Sequence, residues 1–87
     1  MMRIEVTARF ERAYAALEAS QTEQVDKALR LLAADPRYLS LRVRKMEGRK
    51  GVWEARASES LRLTFEMRGD AIRLRNVGPH DEALRNP

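Results

Sequence analysis

The sequence predicts an α+β domain, with a two-helix hairpin packed on one face of a mostly antiparallel sheet of four to five strands. Two patterns and their punctuation carry this prediction. Residues 8–34 repeat apolar side chains at helical spacing, whereas residues 41–75 alternate apolar and charged side chains with period two. Pro36, Gly48, Gly51 and Gly69 fall between the patterned stretches. A chain of 87 residues has room for one core, so residues 1–87 are expected to form one domain.

The chain opens with a short strand, Arg3 to Thr7, in which Ile4 and Val6 alternate with charged residues. Thr7 is placed to cap a helix whose apolar positions are Phe10, Ala13, Tyr14 and Leu17. Ser20 and Glu23 have capping-box spacing and are expected to open a second helix, with Val25, Ala28, Leu29 and Leu32 on its apolar face. Pro36 stops that helix near Asp35. Leu41 and Val43, alternating with Arg42 and Arg44, predict the next strand, and Gly48 and Gly51 mark a loop. Trp53, Ala55 and Ala57 then face one way while Glu54 and Arg56 face the other. After the turn Ser58-Glu59-Ser60, Leu61, Leu63, Phe65 and Met67 oppose Arg62, Thr64 and Glu66. Arg68-Gly69-Asp70 is a hairpin turn. Ile72 and Leu74 then face the core, opposite Arg73 and Arg75. The chain is expected to leave the sheet at Val77-Gly78-Pro79 and to end in a terminal turn over Asp81 to Arg85, with Asp81 expected to cap that turn and, as the alternative, to orient His80.

Composition narrows the function. There is no cysteine, which excludes a disulfide framework and thiolate metal sites. No apolar run approaches the roughly 18 residues of a membrane span, and the first residues lack a signal-peptide core. A cytoplasmic protein without a membrane partner is therefore expected. The net charge of +4 is unevenly spread. Residues 37–75 hold 11 basic against 5 acidic residues, whereas residues 1–36 hold 5 against 6 and residues 76–87 hold 1 against 2. Positive charge thus concentrates in the predicted sheet, as suits a polyanionic partner.

Lys45-Met46-Glu47-Gly48, Trp53, Arg56, then Arg62 three residues before Phe65, and finally Val77-Gly78-x-His80 resemble the RelE/ParE superfamily of bacterial toxins, in its histidine-bearing RelE-like branch. These are the toxin halves of type II toxin–antitoxin pairs. The resemblance implies the fold derived above, a cognate antitoxin as partner, and cleavage of mRNA, typically on the ribosome, as the activity. It implies that Arg62 is directed at the scissile phosphate, that Arg56 adds a second cation, and that His80 is the late catalytic histidine. Glu54 stands where RelE carries a catalytic lysine. Two alternatives stay open: a non-catalytic ParE-like toxin that binds DNA gyrase, and an RNA-binding relic of the fold without cleavage.

The residue types suit a metal-independent endoribonuclease that needs no cofactor. Such a reaction uses the 2′-hydroxyl of the RNA as nucleophile, and requires a base, an acid and fixed cations around the phosphorane. His80 is the only histidine, and histidine is the side chain whose charge changes near neutrality, so it is the candidate acid. Arg56 and Arg62 are the candidate cations, because a planar guanidinium grips two phosphate oxygens at once. Glu54 is either the base or a salt-bridge partner of Arg62 or Arg75. Arg42, Arg44, Lys45, Arg49, Lys50, Arg73 and Arg75 are expected to bind RNA, the first five through backbone phosphates. Trp53 is expected to pack in the core rather than stack on a base.

Overall fold

In a computed structural model describing residues 1–87, the chain runs β1 (Arg3–Val6), α1 (Ala8–Ala15), α2 (Ala19–Ala34), a 3₁₀ turn (Leu39–Leu41), β2 (Arg44–Lys45), β3 (Trp53–Arg56), β4 (Leu61–Arg68), β5 (Ala71–Pro79) and α3 (His80–Arg85). The sheet has five strands in the order β1-β5-β4-β3-β2. β1 pairs parallel with β5, and every other pair is antiparallel. β1 and β2 thus occupy opposite edges, and the helix hairpin carries the chain from one to the other. The architecture is the α+β arrangement expected from the two periodicities. No helix is long and apolar enough to cross a membrane.

The local signals act through specific bonds. Thr7 Oγ1 accepts from the Phe10 N–H at 3.1 Å and donates to the Leu74 carbonyl at 2.8 Å, so it caps α1 and ties it to β5. The N-cap of α2 lies two residues before the expected Ser20. Glu18 is its N-cap, and Gln21 Oε1 accepts from the Glu18 N–H at 2.9 Å. A Glu–Gln pair at the same spacing makes the reciprocal bonds with longer arms. Asp35, extended before Pro36, ends the helix as expected.

Two strand boundaries differ from expectation. The alternation at residues 41–44 comes from a turn followed by a reversal, not from a continuous strand. Leu41 is buried at the end of the 3₁₀ turn, Arg42 takes the left-handed conformation at φ 47°, and only Arg44–Lys45 pair with β3. β5 runs on past Arg75 to Pro79. Its register shifts between Leu74, opposite Phe65, and Asn76, opposite Thr64. Arg75 is the extra residue of a β-bulge there. The bulge reverses the phase, so Ile72, Leu74 and Val77 all reach the core, and this spacing hid the strand's second half.

That core lies between the sheet and the helices. Phe10, Val25, Ala28 and Leu32 from the helices meet Leu41, Ala55, Leu61, Leu63, Phe65, Ile72, Leu74 and Val77. Trp53 packs against its margin, as expected. Met67 pairs with Ile72 on the same side but is partly exposed at the strand's end. The expected terminal turn is α3, which packs on β4 and β5. Its Ala83 is fully buried and stands outside the core cluster, lining a hollow with Ala13, Leu17 and Val77. Asn76 Nδ2 donates to the Asn86 carbonyl at 2.8 Å and Arg75 Nε to the Pro87 carbonyl at 3.0 Å, holding the following chain along β5.

Two predictions follow from this packing. Phe65 is fully buried, so Phe65→Ala should cost about 3–5 kcal/mol of stability, measured by urea unfolding; a smaller loss would mean that the core collapses around the cavity. Glu66 accepts from Arg75 at 2.5 Å and from Arg68 at 3.1 Å. The Arg75 hydrogen bond, with Arg68 adding to it against partial burial, holds the Glu66 carboxyl below its ordinary value of 4.5. Its stabilisation is therefore complete above that value and is lost as pH falls through the depressed one. Glu66→Gln should lower the melting temperature at neutral pH and lose that difference in acid; a difference constant with pH would refute the ionic origin.

Candidate functional site

The face of the sheet away from the helices is built by cross-strand pairs. Arg44 stands opposite Glu54, Glu54 opposite Thr64, Arg56 opposite Arg62, and Arg62 opposite Gly78. Residues directly opposite share a face, so the alternation in β3 and β4 brings these side chains together. Gly78 adds no side chain beside Arg62, and a Cβ there would meet nothing within 4 Å. An open concavity of about 320 Å³ results, lined by Arg42, Arg44, Glu54, Arg56, Arg62 and His80, with no apolar residue among them. All four candidate catalytic residues are in this set, joined by two of the seven candidate RNA-binding residues.

Arg62 is held from behind. Its Nη1 donates to the carbonyls of Ser58 at 2.7 Å, Leu61 at 3.0 Å and Glu59 at 3.1 Å. The rest of the guanidinium is left without a protein partner. Burial, and then the positive charges of Arg56, Arg42 and Arg44, lower its pKa from the ordinary arginine value, with Glu54 opposing. An arginine stays protonated regardless, so Arg62 remains a cation beside Arg56, Arg42 and Arg44, and a bound anion would relieve their mutual repulsion. Neither Arg42 nor Arg56 is paired.

Glu54 is buried and accepts from Arg44 Nε at 2.6 Å. Its ionic partner is Arg44, not Arg62 or Arg75 as expected, because Arg44 faces it directly across β2 and β3. Arg75 is taken by Glu66 instead. Beside Glu54, the Thr64 hydroxyl is buried without a hydrogen-bond partner. His80 is the first residue of α3, and its backbone N–H donates to the Ser60 carbonyl at 2.7 Å. Its ring is half exposed, and Nδ1 is 3.0 Å from the Asp81 carboxylate. The hydrogen bond and charge of His80 hold the Asp81 carboxyl below its ordinary value. Asp81 therefore bonds the imidazole instead of capping the terminal helix. The cap position is Pro79, which makes no side-chain bond.

The remaining candidates disperse. Lys45 stands opposite Trp53, on the reverse side from Arg44, with its ammonium 5.5 Å from the indole centroid. Arg49 donates to the Arg85 carbonyl at 3.5 Å, so it leans on α3. Lys50 is exposed in the same loop. Arg73 pairs in register with Glu5 and Glu66, away from the concavity. The residues that sequence reasoning missed are Ser58, Glu59 and Ser60 as backbone acceptors; side-chain chemistry gives no sign of a carbonyl's role.

No protein-family model matches the sequence, and no curated protein is significantly similar to it. Solved structures do match. YafQ in the E. coli DinJ–YafQ toxin–antitoxin complex superposes with a TM-score of 0.76 at 16% identity, covering 94% of this chain and 97% of that one. RelE in the archaeal RelE–RelB complex from Pyrococcus horikoshii gives 0.75 at 17% identity, covering 94% and 98%. A YoeB/ParE toxin from Agrobacterium tumefaciens gives 0.75 at 16% identity, covering 91% and 99%. At such identities the likeness is one of fold. The chain has, over nearly its whole length, the fold of the RelE/ParE superfamily of toxins.

Proposed function

We propose that this protein is the toxin of a type II toxin–antitoxin pair and an endoribonuclease that cleaves mRNA, alone or on the ribosome, to inhibit translation. The observation that carries this is the convergence of Arg56, Arg62 and His80, with Arg42, Arg44 and Glu54, in one polar concavity. In the proposed reaction, Glu54 takes the 2′-hydroxyl proton through the carboxylate oxygen that Arg44 does not occupy. The 2′-oxygen attacks phosphorus, and Arg62 and Arg56 hold the oxygens that gain charge. Asp81 holds the His80 ring through Nδ1, leaving Nε2–H to protonate the departing 5′-oxygen. The products are a 2′,3′-cyclic phosphate and a 5′-hydroxyl. A cognate antitoxin, by analogy with the toxin–antitoxin complex that shares the fold, would silence the enzyme by covering this cationic face.

The reading is tested with labelled mRNA, with and without ribosomes. Arg62→Ala should cost about 10²–10³ in rate, and His80→Gln about 10²–10⁴, with one limb of the pH–rate profile flattened. Both positions lie off the core cluster, so both variants should remain folded. Full cleavage by His80→Gln with an unchanged profile would remove His80 as the acid. Absence of cleavage by the unaltered protein, with DNA supercoiling lost in cells expressing it, would favour a gyrase-directed toxin.

A further inference from the structure

The polar concavity does not end at Arg42 and Arg56. Both residues also line a second hollow, of about 360 Å³, between α2, the 3₁₀ turn and the β3–β4 turn. Each volume is in the range of small-ligand sites, about 300–1,000 Å³. The two hollows differ in chemistry. The first has no apolar lining, whereas Leu31, Leu41 and Ala57 line part of the second, together with the polar Gln24, Lys27 and Ser40. Arg42 divides them. It follows the buried Leu41 and its N–H donates to the Leu39 carbonyl at 3.1 Å, which holds it in the left-handed conformation. A long side chain adopts that conformation at a cost, so the ridge between the hollows is imposed by the surrounding structure.

A cationic hollow joined to an amphipathic one repeats the alternation of phosphate and base along a single strand of RNA. We propose that the second hollow is a subsite for the base of one nucleotide flanking the scissile phosphate. The base lies on Leu31, Leu41 and Ala57, and its polar edge faces Gln24 and Ser40. The linking phosphate is shared by Arg42 and Arg56, with Lys27 at the rim. An unpaired base is required, since a base stacked within a duplex cannot present its face. The subsite rests on the proposed RNA-cleaving role of the first concavity and would make the reaction selective for its neighbour sequence.

Calorimetric titration of the full-length protein with cleavage-resistant 2′-O-methyl oligonucleotides tests this. A trinucleotide should bind about tenfold more tightly than a dinucleotide, the gain expected from covering one base face with aliphatic side chains. An abasic residue in the added position, which keeps the phosphate held by Arg42 and Arg56, should lose the base's part of that gain. The double variant Gln24→Glu with Lys27→Glu changes only exposed positions of α2. It should lose the gain and keep dinucleotide affinity, whereas Arg62→Ala should weaken both ligands. If the abasic trinucleotide binds as well as the complete one, or the double variant keeps the gain, the subsite is refuted. If neither oligonucleotide binds, or Arg62→Ala changes nothing, the RNA-directed role of the first concavity fails and the subsite falls with it.

Discussion

The carbonyl groups of the turn between β3 and β4 hold together what the rest of the polar face surrounds. Ser58, Glu59 and Leu61 accept from one nitrogen of Arg62, and Ser60 accepts from the backbone N–H of His80. One short turn thereby sets the position of a cation on β4 and of an imidazole on α3, elements that meet nowhere else in sequence. The turn can do this because hydrogen bonds brace both of its ends. Leu61 N–H donates to Ser58 Oγ, and Ala57 N–H donates to the Leu61 carbonyl. A loop whose backbone was satisfied only by water would let both groups wander, and the proposed cleavage depends on positioning within fractions of an ångström.

Around that turn, charge is arranged against its own comfort. Four arginines line the concavity, with Glu54 as the only carboxylate among its residues. Elsewhere three arginines are neutralised conventionally: Arg3 by Asp70 and Glu5, and Arg68 and Arg75 by Glu66. Exposed pairs of this kind are each worth about 0–1 kcal/mol, so their main effect is to leave no competing cationic patch on that part of the surface. In the concavity four arginines face one carboxylate. Electrostatic focusing of this sort raises the encounter rate with a polyanion.

The strand alternation from Trp53 to Phe65 was legible in the sequence, and with it the grouping of Glu54, Arg56 and Arg62. Period two permits one reading when both faces are distinct. His80 was legible as the single histidine, but its orientation was not, since the Asp81 bond depends on the start of α3. Three features were hidden for separate reasons. The bulge at Arg75 breaks the alternation on which strand assignment rests. Leu41 to Arg44 mimics alternation through a left-handed residue. The sorting of Arg44 from Lys45 onto opposite faces depends on where a two-residue strand begins, and composition cannot supply that. Seven basic residues were therefore grouped as one patch when only Arg42 and Arg44 join the concavity.

The position of β5 has a consequence for the order in which the molecule comes into being. β5 lies between β1 and β4 and is the sole partner of β1, yet it is made of residues 71–79. A growing chain that has emerged only as far as β4 holds a hairpin and two helices, with β1 unpaired and much of the apolar side uncovered. Pairing residues near the start with residues near the end also carries a high loop-closure cost, which slows folding. The native sheet, and the cluster it supports, therefore assembles in a late step rather than growing strand by strand. A chain released short of β5 would have neither the fold nor the polar concavity, since β4 would lack one partner and His80 would be missing.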